Sequence, residues 1–219
     1  MQITLRCASA LLLFFLLAGF LSMPKKVNYR GAMGIEEPRE SPKGSISRLK
    51  GERVAIVLSP NTTAMVDFDD TVKEKGNALN DYFSGGVDAR NVMHDSASSM
   101  LRLAEMLKTS FPEARLAGTL ADAERMNPAS TIVVDFFNEA TTEGFLAPTA
   151  VVTTWEARFD FVVPGMPRRV HRTVESIVTA KCPPPNMGGS TAFAACDVGA
   201  RDKMLDQLRR HLEAAMQGS

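Results

Sequence analysis

Two carboxylates spaced two residues apart, Asp67 and Asp69 in the string Met65–Val66–Asp67–Phe68–Asp69–Asp70–Thr71–Val72, are the sharpest candidates for chemistry in this chain. Carboxylates this close can share a divalent cation, which offsets their mutual repulsion and neutralises charge on a bound phosphate. One of the pair can then attack as a nucleophile while the other moves a proton. Asp67 and Asp69 are therefore the candidate catalytic residues and the candidate Mg²⁺ ligands. That chemistry needs both on one rigid loop beyond the end of an apolar strand. The competing reading is a solvated acidic loop.

The same string resembles the first motif of the haloacid dehalogenase superfamily of phosphatases, D-x-D-x-T. The resemblance implies that Asp67 forms an aspartyl-phosphate and ligates Mg²⁺, and that Asp69 is the general acid/base. It covers Met65–Val72 alone. The apolar stretch before it, Ala64–Val66, is short for a central strand, and Asp135, which closes Thr131–Asp135, has no second carboxylate beside it.

Other reactive side chains are more scattered. His94, His171 and His211 lie far apart and none has a partner at metal-ligand spacing. Ser59, Ser84 and Ser99 lack the setting of a nucleophile elbow. Asn61–Thr62–Thr63 fits a glycosylation sequon. Gly85–Gly86 reads as a hinge and not as a phosphate loop. No cofactor is expected on the leading reading. The formal net charge of +0 argues against a nucleic-acid partner, which needs a basic face.

The N-terminus and the cysteines bear on compartment. Ala8–Leu21 is an uncharged apolar run behind Arg6, short for a membrane span and suited to a signal peptide. No cleavage site with small residues at both flanking positions follows it, so residues 1–23 read as a signal peptide or an uncleaved membrane anchor. Cys7 falls within this segment. Cys182 and Cys196 remain, an even pair bracketing a Pro- and Gly-rich loop, and a disulfide between them is expected. A bridge of that size stabilises by ~3 kcal/mol and persists only in oxidising compartments. The protein is thus expected to be periplasmic or otherwise extracytoplasmic.

The elements that position these residues follow from periodicity. Residues 24–52, with Pro24, Pro38 and Pro42 and a run of basic side chains, read as a flexible linker. A single domain is expected over 53–219. Val54–Leu58 reads as a buried strand, and about Val87–Ser110 as a helix with Met93, Ala97, Met100, Leu101, Ala104, Leu107 and Phe111 on its apolar stripe. A brief strand at Arg115–Ala117 precedes a short helix capped by Thr119. Thr131–Phe137 is a strand. Val151–Val163 alternates strictly, with one buried and one wet face, and turns at Pro164–Pro167 into Arg168–Ala180. Asp197 is positioned to cap a last helix with Met204, Leu205, Leu208, Leu212 and Ala215 inward. The order β-α-(β-α)-β-β-β-α implies an α+β two-layer sandwich, a mostly antiparallel sheet with helices on one face.

With that topology assembled, the apolar segment, basic linker, VAIVLSPNTT, TIVVDFF, polar-faced hairpin and terminal helix resemble small Gram-negative envelope lipoproteins. These include penicillin-binding-protein activators of the LpoB type, YajG-like lipoproteins and auxiliary lipoproteins of ABC transporters. Phe20 stands where such a protein carries its lipidated cysteine. The resemblance implies a non-enzymatic adaptor or assembly factor that binds another envelope protein, with exposed sheet edges and the wet hairpin face as docking surface.

Overall fold

The computed structural model describes residues 23–36, 46–82, 96–144, 149–184 and 190–218. In chain order the elements are α1 (Tyr29–Ala32), β1 (Ile35–Glu36), a 3-10 turn at Ser47–Leu49, β2 (Val54–Leu58), α2 (Pro60–Tyr82), α3 (Ser96–Ser110), β3 (Arg115–Leu116), α4 (Leu120–Arg125), β4 (Ser130–Glu143), β5 (Ala150–Val163), β6 (Arg168–Cys182) and α5 (Ser190–Gln217). Among the described residues, no helix is long and apolar enough to cross a membrane. The run Ala8–Leu21, with Cys7, lies outside them, as do Ser84, Gly85–Gly86 and His94.

The chain is a mixed α/β protein with one six-stranded mixed sheet, ordered β1-β6-β5-β4-β2-β3. Three long strands, β4, β5 and β6, form an antiparallel meander at its centre. Short β2 joins β4 in parallel, β3 joins β2 in parallel, and β1 joins β6 in parallel. The expected mostly antiparallel sheet is therefore the meander, flanked on both sides by parallel pairs. β-Branched and aromatic residues fill the meander because they fit a pleated, half-buried surface.

The strict alternation in β5 is met by burial. Thr153, Trp155, Ala157, Phe159 and Phe161 lie on one face, against Leu103 and Leu107 of α3, Phe111 just beyond it, and Met204, Leu205, Leu208 and Leu212 of α5. Val162, on the opposite face by the same alternation, is buried among Ala55, Val57 and Val133, and beyond the register shift at Phe161/Val162 the strand ends with Val163 exposed. The apolar stripe of α3 is rotated from the expected one. Leu103 is buried while Leu101 is 65% exposed, because the contact with the sheet follows Ser99, Leu103 and Leu107 at four-residue steps.

Helices occupy both faces, not one. Leu120 and Ala123 of α4 pack with Ala55, Val57 and Val133, and Tyr29 and Ile35 join the same cluster. β2 is buried on both sides, as parallel strands are, and its second face needs this cover. The stretch whose composition reads as a linker thus contributes to the core: Tyr29, Ile35, Ile46 and Leu49 are all buried. Its proline and charge content masked four well-spaced apolar side chains.

Candidate functional site

The face of the meander turned away from α3 and α5 carries polar side chains in neighbouring register: Asp135 opposite Arg158, Arg158 opposite Glu175, and Asp160 opposite Thr173. Alternation alone would leave this face wet. Instead α1 lies on it. Arg30 donates from Nε and Nη2 to the two oxygens of Asp160, at 2.6 and 2.7 Å, and Tyr29 Oη donates to Asp160 Oδ2. Thr173 Oγ1 donates to Asp160 Oδ1 at 2.8 Å. The Asp160 carboxylate is fully buried, so only such multiple charge-assisted bonds can replace the water it has lost. Burial, reinforced by the adjacent Asp160 charge, pushes the Tyr29 phenol well above the ordinary tyrosine range.

A second knot ties the same segment to the end of β2. Ser59 caps α2, accepting from Thr62 N at 3.1 Å, and donates from Oγ to Asp135 Oδ1 at 2.5 Å. Asn61 donates to Asp135 and to the Val27 carbonyl, and accepts from Val27 N at 2.8 Å. Its side chain therefore pairs with a main-chain peptide as a strand would. Thr62 Oγ1 donates to the Val134 carbonyl and accepts from Phe136 N. Burial raises the Asp135 carboxyl above its usual range, opposed by the bonds from Ser59 and Asn61. Asn61 is buried and both ends of its amide are engaged, so a sugar has no access to the sequon. Ser59 serves as cap and tie.

The two carboxylates singled out from sequence stand elsewhere. Asp67 and Asp69 lie on α2, about two turns past its start, where a loop was expected. Residues two apart on a helix point about 200° apart. Accordingly Asp67 is exposed and Asp69 is buried. Asp67 borders an open crevice of about 640 Å³ beside the carboxyl end of β2, lined also by Val57, Pro60, Leu120 and Arg168; Asp69 does not line it. No cluster of three or more metal-ligating side chains occurs among the described residues. His171 lies on β6, and His211 Nδ1 donates to the Glu175 carbonyl at 2.7 Å.

Cys182 and Cys196 form a disulfide that ties the end of β6 to α5. Beside it, Asp197 is buried within α5 and accepts from Trp155 Nε1 at 2.9 Å and from Thr153 Oγ1 at 2.7 Å. The helix begins at Ser190, so Asp197 is no N-cap. Its carboxylate is spent on the sheet, satisfying the one indole N–H in the chain.

Among the described residues, the outer side of β6 is paired by β1 at Arg168 and Arg169, two of the fifteen residues of this strand, and by no other strand. Val134 turns its carbonyl to Ser59 and β2, so Asp135 faces β5, Arg158 faces β4 and Glu175 faces outward. By alternation Thr173, Ile177, Thr179 and Lys181 also turn their N–H and C=O groups outward. His211 covers the Glu175 carbonyl. Ile177, 51% exposed, sits at the middle of the open stretch.

No family model matches this chain, and no curated protein matches it.

Sequence reasoning found the disulfide and the hydrophobic face of β5, yet missed the Arg30–Asp160 and Asn61–Val27 ties. Both join residues more than thirty apart in sequence, one of them in a segment of linker-like composition. A usable signal existed. Asp160 interrupts the otherwise apolar run Phe159–Val163, and a carboxylate in that setting needs a cationic partner.

Proposed function

We propose that the protein is a non-enzymatic, membrane-tethered binding module of an extracytoplasmic compartment that docks another envelope protein along the outer edge of β6. The observation that carries this reading is the edge itself, a long strand of high β-propensity whose outward backbone groups, from Thr173 to Lys181, are paired by no strand among the described residues. Such an edge recruits an extended segment of a partner by strand addition, main-chain bonds giving affinity and alternate side chains giving specificity. The Cys182–Cys196 disulfide supports an oxidising compartment. The helices α3 and α5 cover one face of the meander, with α1 and α4 as a smaller cover on the other, which leaves the edge of β6 as the surface for a partner.

A Mg²⁺-dependent phosphatase built on Asp67 and Asp69 fits the geometry less well, because one helix turns the two carboxylates to opposite sides. The test is Thr179→Pro. Proline removes an outward N–H and leaves the β5 ladder intact, since Thr179 bonds away from β5. In native gels of mildly solubilised membranes the parent chain is expected in a complex larger than itself, and the variant as the free chain. A variant that stays in the complex contradicts edge docking.

A further inference from the structure

Resting on the tethered reading above, we infer that residues 26–36 are a clamp that holds the domain at the bilayer surface, so that the stretch 24–52 does not act as a leash. The apolar run ends at Leu21. Five residues later Lys26 pairs with Glu156, and Val27 is already fixed to Asn61 through both of its main-chain groups. Arg30 and Tyr29 then close on the buried Asp160, Arg168 donates to the Met33 carbonyl, and Ile35 pairs with Arg168 on the sheet edge. Five extended residues reach at most roughly 18 Å. A free linker over 24–52 would instead reach about 100 Å when extended. The clamp therefore confines the docking edge to partners lying in the membrane or directly on it.

The direction of entry is also set. The segment meets β5 first at Glu156 and later at Asp160, and ends at the start of β6. It therefore enters from the end of the meander where β5 begins and β6 finishes, the end that carries Lys181 and the disulfide.

Trp155, the chain's one tryptophan, sits next to Glu156 and can report height by energy transfer to dansyl-labelled headgroups in phosphatidylcholine vesicles holding the full chain. A Gly/Ser insertion of about twenty residues adds roughly 25 Å of reach. Placed between Met23 and Pro24, upstream of the clamp, it is expected to cut the transfer by more than about half. Placed between Glu40 and Ser41, downstream of the clamp, it is expected to leave transfer unchanged. Equal loss from both insertions, or no loss from the first, overturns the clamp while leaving the tether standing. A parent chain that does not sediment with the vesicles overturns the tether and the clamp together.

Discussion

The Arg30 guanidinium holds the Asp160 carboxylate through two hydrogen bonds, at 2.6 and 2.7 Å, across 130 residues of sequence. This fork-on-fork pairing turns a segment of linker-like composition into part of the folded domain. Removing one member of a buried pair strands the other charge, which costs about 3–5 kcal/mol. Arg30→Ala is therefore expected to lower the unfolding free energy by that much, read as a lower urea midpoint at unchanged slope, without changing the disulfide. An unchanged midpoint would show that α1 does not rest on the sheet.

The Tyr29 phenol has its ionisation pushed up, by burial first and then by the Asp160 charge. A group with a raised folded-state value contributes stability that is complete below its unfolded value. That contribution is lost as pH climbs toward the folded value. Thermal stability is thus expected to fall once pH exceeds about 10, where tyrosine in an unfolded chain ionises. Tyr29→Phe should lose a hydrogen bond at neutral pH and show a shallower alkaline decline. Thermal melts of both chains across that range check the prediction.

Asp135 follows the same sign in the acid range. Burial is the largest influence and raises its carboxyl, so the fold favours the protonated form more than the unfolded chain does. Its contribution is present below the ordinary aspartate value and is lost as pH rises through the folded one. Asp135→Asn keeps an acceptor for Ser59 and cannot ionise. Its melting temperature is expected to gain on the parent as pH rises from about 3 to about 7. A gap that shrinks over this range would contradict the burial argument.

What was legible in the sequence and what was not divides along physical lines. Trp155, Phe159 and Phe161 announced a buried face because a strand repeats every two residues, and Leu208 and Leu212 announced α5 because a helix brings such spacing to one side. Thr119 was legible as a cap and accepts from Asp122 N as expected. The helix α2 was not, because Asn61, Thr62 and Thr63 favour turns and Asp67, Asp69 and Asp70 dilute its apolar stripe. Tertiary ties from Asn61 and Thr62 to Val27, Val134 and Asp135 override that preference. Asp197 matched a cap by type, but cap and buried tie call for the same carboxylate, and only the position of Trp155 separates them.

The contrast between Asp67 and Asp69 yields a stability prediction that separates structure from chemistry. Asp67→Asn, on the exposed side of α2, is expected to shift stability by less than about 0.5 kcal/mol. Asp69→Asn, on the buried side, should cost about 1–3 kcal/mol. Urea titration of the two variants reads the difference. Equal small effects, together with loss of a Mg²⁺-dependent phosphatase activity in Asp67→Asn, would restore the catalytic reading.

The Cys182–Cys196 bridge fixes the start of α5 to the end of β6. Replacing both cysteines by alanine is expected to cost about 2–4 kcal/mol. The intact mass of the parent chain should rise by two hydrogens on reduction. Two free thiols in protein isolated without reductant would count against an oxidising compartment.

Site-specific photo-cross-linking in the cells that make the protein tests edge docking most directly. A photoreactive residue placed at Ile177 or Thr179, on the open side of β6, is expected to give one adduct of defined size with a membrane protein. The same residue at Leu101, more exposed still on α3, is expected to give none. No adduct from the β6 positions, or an equal yield from Leu101, would contradict the account.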